Sequence, residues 1–487
     1  MRDSMQRLHP ATIVIEAVDF LRQFVWALIL ILFTGSRREE FDSTELILVG
    51  FGVITVFVAV FRYLTMYFGV VGETLVIRKG LIWKQERTIP LERIQNVNLK
   101  RGILEQILGV VTVTIETASG IGVEANLRVL SVTGAESIRR VLLHSPKQAD
   151  EPNVIPEAPP ILYQATAGDL ALCGAFSNRA LYLLALLLGA FPIFGSESDV
   201  IKKVLGPIFE RVTKLPPFEI LLLIFVGVAI GWLGSIMITL MQLWNFRVEG
   251  HQKGVEVHYG LFTQFKTLIP LRRVVGVRVA HPVLFRKINR CEVFADSAGS
   301  ILEQSPAGAN RIAPILRTER LPSFAKLALP NLNFDFRTWN PVSSKAIRRG
   351  FFAYFKILLL LIGASSFWLG AIALWLIIPA IPIALFAGYV RFKNLGYARP
   401  PGFFAARDGF WRNNMVVVPL DRIQSIYVSQ SPFQRIWKVA ELQCITASNT
   451  GMSHFQIPDL DESEAYRLQD EVITEVEKLA TTTRGGV

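Results

Sequence analysis

A sequence pattern that occurs three times limits the folds open to this chain. The copies read GLIWKQERTIPLERIQNV at residues 80–97, GLFTQFKTLIPLRRVVGV at 260–277 and GFWRNNMVVVPLDRIQSI at 409–426. In each copy a glycine is followed ten residues later by a proline, which opens the pentapeptide Pro-Leu-x-Arg-Ile or Pro-Leu-x-Arg-Val. Because the copies lie a domain's length apart, the pattern predicts three repeated domains rather than a short solenoid element.

Six apolar stretches occur in three pairs between these repeats. The chain of 487 residues is 51% hydrophobic and 19% charged, and its mean hydropathy is +0.39. Each stretch has roughly 17 to 25 residues, which is enough for a helix to cross a bilayer. The stretches are residues 12–33, 45–68, 180–194, 218–244 and a double stretch at 351–392 with a turn near Ser365 and Ser366. The sequence therefore predicts a multi-pass α-helical membrane protein with six spans in three hairpins.

Basic residues indicate which side of the membrane carries the repeats. Each hairpin returns the chain to its starting side, so the three repeat segments and both termini are expected on one face. Lys and Arg flank the apolar stretches on that face, whereas the turn at residues 35–44 has two Arg against three acidic residues. Loops rich in Lys and Arg stay in the cytoplasm, so we expect the repeats and both termini there. The separated cysteines Cys173, Cys291 and Cys444 suit a reducing compartment.

Short strands closed by a helix are predicted in the polar segments. Residues 111–116, VTVTIE, alternate apolar with hydroxyl or charged side chains, as a half-buried strand does. Near the C-terminus, Ala465, Leu468 and Val472 recur at helical spacing behind the potential cap at residues 459–461. Each polar segment is therefore predicted to be an α+β domain of antiparallel strands followed by one helix.

The proline and the arginine of the pentapeptide have a structural interpretation that needs no ligand. A proline fits the first residue or the edge of a strand, where no ladder amide is needed, and the arginines are expected to pair across strands. These positions are Pro90, Arg93, Pro270, Arg273, Pro419 and Arg422. A binding role is the alternative, and its best candidates are the basic pairs Arg272-Arg273 and Arg286-Lys287.

Most of the positive charge belongs to the middle repeat segment. Residues 242–350 hold 17 Lys and Arg against 7 Asp and Glu, in a chain whose net charge is +11. Beside a cytoplasmic leaflet, each Lys or Arg contributes roughly 1 kcal/mol of attraction to anionic lipid before screening. Two explanations stay open, contact with anionic lipid or selection by membrane topology alone. The charges are spread over several elements, which argues against nucleic-acid binding.

A family resemblance rests on the repeat pattern, the alternating strand, the flanking hairpins and the lead Arg7-Leu8-His9-Pro10. Together these features resemble the bacterial pleckstrin-homology (PH) domains of membrane-flanked, YdbT-like proteins, over nearly the whole chain. The resemblance implies, for each polar segment, a small, partly open antiparallel barrel with a C-terminal helix, in a protein of the bacterial plasma membrane. The basic phosphoinositide motif of eukaryotic PH domains has no match, since residues 402–404 read Gly-Phe-Phe.

The expected organisation alternates hairpins with PH-like domains. A hairpin occupies residues 1–68, a first PH-like domain 69–150, a linker and hairpin 151–244, a basic second PH-like domain 245–330, a linker and hairpin 331–392, a third PH-like domain 393–480 and a tail 481–487.

Sequence signatures of catalysis are missing from the chain. It contains no GxGxxG, Walker A, HExxH or GxSxG motif. His251 and His258 lie seven residues apart in a predicted strand region and are not expected to share a face. We therefore expect a non-enzymatic membrane scaffold without cofactor or metal, whose PH-like domains bind a protein partner or each other, with contact between the middle domain and anionic lipid left open. A transporter or export component for a small apolar or peptide substrate is the alternative.

Overall fold

Two compact units make up the chain. In the computed structural model the described residues are 5–22, 42–80, 84–117, 125–143, 159–177, 211, 214–251, 254–297, 310–447 and 454–484. The first unit comprises Met1–Pro160 and Glu249–Pro270, and the second comprises Ile161–Val248 and Leu271–Val487. The middle repeat is therefore divided between the two units at Pro270.

The strands of the described residues, in chain order, are β1 (Gln6–Arg7), β2 (Tyr67–Val71), β3 (Thr74–Lys79), β4 (Gln85–Pro90), β5 (Ile94–Arg101), β6 (Val110–Thr117), β7 (Ala125–Ser131), β8 (Ile161–Gln164), β9 (Arg247–His251), β10 (Gly254–Tyr259), β11 (Gln264–Pro270), β12 (Val274–Pro282), β13 (Arg290–Ser297), β14 (Arg311–Arg317), β15 (Gly396–Ala398), β16 (Phe403–Asp408), β17 (Arg412–Pro419), β18 (Ile423–Ser429), β19 (Val439–Thr446) and β20 (His454–Asp461).

The helices of the described residues, in chain order, are α1 (residues 12–22), α2 (Asp42–Thr65), α3 (Ile103–Ile107), α4 (Val132–Leu143), α5 (Ala167–Ala175), α6 (Pro217–Leu243), α7 (Val283–Lys287), α8 (Leu321–Ala328), α9 (Lys345–Leu369), α10 (Ile377–Asn394), α11 (Pro432–Ile436) and α12 (Glu462–Arg484).

Two antiparallel sheets form the first unit. One has the strand order β1-β2-β3-β4, and the other contains β7-β6-β5-β11-β10, followed by the part of β9 that belongs to this unit. The alternating segment VTVTIE lies in β6 and buries Val111, Val113 and Ile115. These residues meet Leu75 of the other sheet in one core, on which Ala135 of α4 packs. The predicted arrangement of antiparallel strands closed by a helix is confirmed.

The second unit also has two antiparallel sheets. Their strand orders are β14-β13-β12-β17-β16-β15 and β18-β19-β20. Phe404 of the first sheet and Leu442 of the second share a core with the apolar face of α12. On that face Ala465, Leu468 and Val472 are buried, as their helical spacing predicts.

The threefold sequence pattern has a threefold structural counterpart. Gly260 and Gly409 have φ angles of 107° and 118°, and a Cβ at either glycine would clash with the backbone carbonyl three residues later. A glycine is therefore required at each of these turns. The strand after the turn ends at the repeat proline, so the prolines are the last residues of strands rather than the first. One 3₁₀ turn follows each proline, at Leu91–Arg93, Leu271–Arg273 and Leu420–Arg422.

The strand behind each 3₁₀ turn has a β-bulge in the same place. The register of the pairing shifts between Ile94 and Asn96 in β5, between Val274 and Gly276 in β12, and between Ile423 and Ser425 in β18. A bulge bends its strand and increases the local twist. The repeat thus defines a backbone unit of glycine turn, proline stop and bulged strand.

The predicted fold class of six spans in three hairpins is wrong. Among the described residues two helices are long and apolar enough to cross a membrane, Pro217–Leu243 and Gly370–Asn394, and most other elements are strands of the PH-like domains. The second predicted stretch lies in α2, Asp42–Thr65, within which Gly52–Thr65 is a shorter apolar helix. Helix α9 carries Lys345, Arg348, Arg349 and Lys356 in its first half. The stretch at 180–194 and the end of the stretch at 12–33 lie outside the described residues.

Helices α9 and α10 form an antiparallel hairpin. The chain turns at Gly370, whose φ is 55°, rather than at the predicted Ser365 and Ser366. Gly350 near the start of α9 lies against Gly388 near the end of α10, where a Cβ on Gly350 would be 2.8 Å from the Gly388 Cα. Small residues at this crossing permit close backbone contact. The open end of the hairpin, at Lys345 and Asn394, adjoins the strands of the second unit.

Candidate interaction sites at the domain junctions

Two sheets join strands from consecutive repeats. In the first unit β5 of the first repeat pairs with β11 of the second, and in the second unit β12 of the second repeat pairs with β17 of the third. We name these pairings the first junction and the second junction. Each is an edge-to-edge antiparallel pairing, the geometry by which sheets recruit a further strand.

The two junctions have the same register. Lys100 pairs with Phe265 in the first junction, and Ala280 pairs with Asn414 in the second. Counted from the repeat proline, Lys100 and Ala280 occupy one position, and Phe265 and Asn414 occupy another. A register slip of one residue would move every side chain to the opposite face, so this agreement is a specific property of the repeat.

A side-chain donor on the short helix after the junction strand reinforces each pairing. In the first junction Gln106 of α3 donates to the carbonyl oxygens of Leu261 and Phe262, at 3.1 and 2.8 Å. In the second, Arg286 of α7 donates to the carbonyl oxygen of Phe410 at 2.7 Å. Gln106 and Arg286 share one repeat position, and so do Leu261 and Phe410. The same contact is therefore made with two different side chains.

An ion cluster supports the first junction. Glu256 of β10 is buried and forms an ion pair with Arg139 of α4. Lys266 of β11 lies 2.9 Å from Glu136 of α4 and 3.9 Å from Glu256. Burial alone would raise the pKa of Glu256, but the hydrogen bond with His258 and the charges of Arg139 and Lys266 outweigh it and lower the pKa to about 2. The cluster therefore ties the closing helix of one repeat to the strands of the next.

Two histidines complete this cluster. His258 Nε2 lies 3.3 Å from a Glu256 oxygen and 3.4 Å from a Glu249 oxygen, and His251 Nε2 lies 3.5 Å from Glu256. The prediction that these histidines do not share a face is wrong, because they lie on different strands, β9 and β10. The ligand atoms of Glu249, Glu256 and His258 lie within 4.8 Å of one another. Since Arg139 and Lys266 already neutralise Glu256, we interpret the cluster as a structural ion network.

The second junction combines aliphatic pairs with an ion pair of Arg412 and Glu292, 2.8 Å apart, and encloses one histidine. Val277 pairs with Val417, and both are fully buried. His281, which pairs with Asn413, is 5% exposed. Burial and, secondly, the charge of Arg286 lower the pKa of His281 to about 4. His281 is therefore neutral at physiological pH.

The four predicted contact residues lie at two separate places. Arg272 and Arg273 belong to the 3₁₀ turn before β12, and Arg286 and Lys287 belong to α7 behind it. The nine-residue strand between them spans roughly 27 Å. The Arg272 carbonyl accepts a hydrogen bond from Arg422 at 3.0 Å, which links the pentapeptides of two repeats. The structure therefore does not bring the four residues into one basic patch.

Exposed apolar residues lie at the open end of the α9–α10 hairpin. We name Leu284, Trp411, Phe433 and Ile436 the rim. Trp411, Phe433 and Ile436 are 73 to 74% exposed. Three contacts place the rim beside the hairpin: Arg286 with Asn394, the ring of Phe410 with Tyr354, and Trp437 stacked on Phe352. The exposed Lys287 lies on α7 with Leu284, and the exposed Lys438 follows the end of α11 by two residues.

Basic residues of the hairpin bind acidic residues of the third repeat. Arg349 and Arg391 both contact the fully buried Asp459, and Lys345 lies 2.7 Å from Asp461. Lys345, followed by a hydrogen bond from Ser343, lowers the pKa of Asp461 below its usual value, although burial opposes the shift. Arg349 and Arg391 thus fix the hairpin to the domain.

Sequence reasoning missed the junction donors, although a signal was present. Gln106, Arg286 and Arg435 occupy one repeat position, beyond the segment in which the copies are visibly alike. Extending the alignment past that segment finds a long polar donor three times. The ion cluster left no comparable signal, because Val76 and Ala405 stand where the second repeat has Glu256.

These features define a protein built from tandem PH-like domains that are joined through sheet edges. The family described as Bacterial PH domain matches residues 12–145, 184–327 and 357–476, and the chain belongs to this family. The resemblance inferred from the repeat is confirmed. The predicted domain boundaries stay a prediction.

One relative matches nearly end to end. The chain is similar to the UPF0699 transmembrane protein YdbT of Bacillus subtilis (strain 168), with 21% identity over 491 residues, which covers 96% of this chain and 97% of the relative. No solved structure matches the chain.

Proposed function

We propose that this chain is a non-catalytic scaffold of the bacterial plasma membrane whose PH-like domains face the cytoplasm and bind a protein partner and anionic lipid. The transmembrane relative and the two candidate membrane helices support the location. The family supports a binding role rather than catalysis. The family match and the transmembrane relative lend no support to the alternative of a transporter or export component.

The observation that carries the lipid contact is the rim beside the hairpin. Aromatic side chains concentrate at membrane interfaces, and Trp411 and Phe433 are exposed where α9 and α10 leave the second unit. Lys287 and Lys438 supply positive charge at the same end. An apolar rim with flanking lysines fits the headgroup layer of an anionic leaflet.

The four basic residues are therefore assigned different roles. Lys287 is exposed and lies on the element that carries Leu284, so we assign it to lipid contact. Arg286 is occupied by Phe410 and Asn394 and is assigned to the junction. Arg272 and Arg273 lie at the other end of β12 and are assigned to the contact between pentapeptides.

A charge reversal with a matched control tests this assignment. The full chain in detergent is titrated with phosphatidylglycerol, and the rise of its unfolding temperature is measured. We expect the rise for Lys287→Glu/Lys438→Glu to be less than half that of the native chain, because the interfacial charge is reversed. Arg272→Glu, an equally exposed change, serves as the control and is expected to behave as the native chain does.

Salt and lipid charge sharpen this test. The expected difference between the variants shrinks at about 0.5 M salt, since exposed charges are screened, and it is lost with phosphatidylcholine. Equal rises for the native chain and both variants would remove the lipid contact from the proposal.

The protein partner is tested in native membranes. The intact chain is crosslinked in its own membranes, purified, and its adducts are identified by mass spectrometry. A recurrent partner joined to residues of the PH-like domains supports the scaffold. Adducts confined to the helices Pro217–Leu243 and Gly370–Asn394 would contradict it.

A further inference from the structure

Two strands have no junction partner, although their equivalents in the other repeats do. Strand β4 corresponds to β11 and β17, and β18 corresponds to β5 and β12. Within the described strands, β4 ends the sheet β1-β2-β3-β4 and β18 ends the sheet β18-β19-β20. Among the described strands, the first repeat thus has the β4 side of a junction without a partner strand, and the third repeat has the β18 side without one.

Burial distinguishes these two edges from the strands in the junctions. Residues 85–88 of β4 are all exposed, whereas Thr267 and Leu268, the equivalents of residues 87 and 88 in β11, are buried. In β18, Tyr427 is exposed and its neighbours are half-buried, whereas most of β12 is buried. Most of both edges is therefore accessible, the exceptions being the buried Ile89 and the Ile426 carbonyl, which accepts a hydrogen bond from Gln469 of α12.

Strand β18 lacks the usual protection of an edge strand. Natural edges are blunted by charged residues or proline, but the sequence of β18, IQSIYVS, has neither. Charges on the partner strand do not prevent pairing here, because β11 carries Lys266 and β17 carries Arg412 within the two junctions. The polar sequence of β4 is thus no obstacle to a third pairing.

We propose that β18 of one molecule pairs with β4 of a second copy of this chain, so that a third junction joins molecules head to tail. The occupant follows from continuity with the two internal junctions, which have one register and join the same two repeat strands. That register places Ser429 opposite Gln85. Within the chain, Lys100 and Phe265 occupy these two positions in the first junction, and Ala280 and Asn414 occupy them in the second. Such pairing is heterologous and generates a ring or an open array.

The donor position of the junction is also available in the third repeat. Arg435 lies on α11 at the position of Gln106 and Arg286, and it is exposed. In both internal junctions this donor reaches a backbone carbonyl of the following repeat. In the third junction it would reach the following molecule. The inference does not rest on the lipid contact proposed above.

Cysteine pairing between two copies tests this inference. Gln85→Cys and Ser429→Cys are placed on separately tagged full-length chains that are produced together, and the isolated membranes are oxidised. Opposed strand residues have Cα atoms close enough for a disulfide. We expect a dimer that carries both tags, at least tenfold above the amount from either variant alone. The native cysteines Cys173, Cys291 and Cys444 are buried and give no background.

The pair Glu86→Cys with Ser429→Cys is the matched control. It shifts the register by one residue and places the two thiols on opposite faces, so no mixed dimer is expected. A pair within one chain, Lys100→Cys/Phe265→Cys, verifies that the oxidant reaches strand pairs. If that pair closes while the mixed dimer is missing, the proposal is overturned.

Other products would overturn it as well. A dimer of Ser429→Cys alone indicates a symmetric edge pairing. An adduct of another mass indicates that β18 receives a different protein. When both cysteines are on one chain, a disulfide within that chain instead of disulfide-linked multimers indicates that β18 pairs with β4 of the same molecule. The lipid titration is unaffected by any of these outcomes, so failures of the two proposals are distinguishable.

Discussion

The two junctions reach one register through different chemistry. In the first, Glu256 and Arg139 form a buried ion pair beside the pairing of Lys100 with Phe265. In the second, Ala405 stands where Glu256 stands in the preceding repeat, and the paired strands meet through Val277 and Val417. The register is the same although the ion pair beside it joins α4 to β10 in the first junction and β13 to β17 in the second.

This difference teaches that the register follows from the backbone unit rather than from particular side chains. The glycine turn sets where the first strand begins, the proline sets where it ends, and the bulge sets the twist of the next strand. These three features recur in all three repeats. Side chains that cover the junction were free to diverge, provided that each buried charge kept a partner.

The largest expected effect concerns the ion pair of the first junction. Arg139→Met leaves Glu256 buried without its main cation, and breaking a buried ion pair in this way costs about 3 to 5 kcal/mol. We expect that loss in the free energy of unfolding of the full chain, measured by denaturant titration. Arg78→Met is the control, because Arg78 and Glu86 form an exposed pair, 41 and 49% accessible, and losing an exposed pair changes stability little. Equal losses in both variants would contradict a buried network at this junction.

The second junction is expected to be the acid-sensitive one. Above pH 6.5 His281 is neutral in the folded and the unfolded chain, so pH has no effect through it. As the pH falls from 6.5 towards 4, the unfolded chain binds a proton before the folded chain does, because the folded pKa is about 4. The free energy of unfolding should therefore drop by about 2 kcal/mol between pH 7.5 and pH 5.

Two substitutions isolate this histidine. His281→Gln should reduce the pH dependence by that amount, whereas His454→Gln, at an exposed histidine, should leave it unchanged. The measurement is denaturant unfolding at the two pH values. The same pH dependence in all three proteins would mean that His281 is not buried in the junction.

The smallest expected effect compares the two junction donors. Gln106→Ala removes hydrogen bonds between neutral groups, worth about 1 kcal/mol, and Arg286→Ala removes a charged donor, worth about 1.5 to 3 kcal/mol. We expect both to destabilise, Arg286→Ala more strongly, in the same denaturant assay. Lys287→Ala, beside Arg286 but exposed, is the control with an expected change below about 0.5 kcal/mol. A neutral Arg286→Ala would contradict the contact with Phe410.

Local patterns in the sequence predicted part of this architecture. The alternation in residues 111–116 predicted β6, and the spacing of Ala465, Leu468 and Val472 predicted the buried face of α12, because both signals depend on neighbours in the chain. The family resemblance, which rested in part on the repeat pattern, is confirmed.

The junctions were beyond reach because they are contacts between distant parts of the chain. Nothing near Lys100 indicates that it pairs with Phe265, and the position of Glu256 has no acidic counterpart in the other repeats. Apolar length misled the count of spans, since it does not distinguish a membrane helix from α9, whose first half is basic and which binds a domain through Arg349. His251 and His258 were misjudged because β9 and β10 were not recognised as two separate strands.

A direct measurement of the shared register would test this account best. Full-length chains with the pairs Lys100→Cys/Phe265→Cys and Ala280→Cys/Asn414→Cys are oxidised in membranes and compared with pairs shifted by one residue, Lys100→Cys/Gln264→Cys and Ala280→Cys/Asn413→Cys. Peptide mass spectrometry measures the disulfides. The account predicts that both in-register pairs close and neither shifted pair does. Closure of a shifted pair, at either junction, would contradict the claim that one backbone unit sets one register throughout the chain.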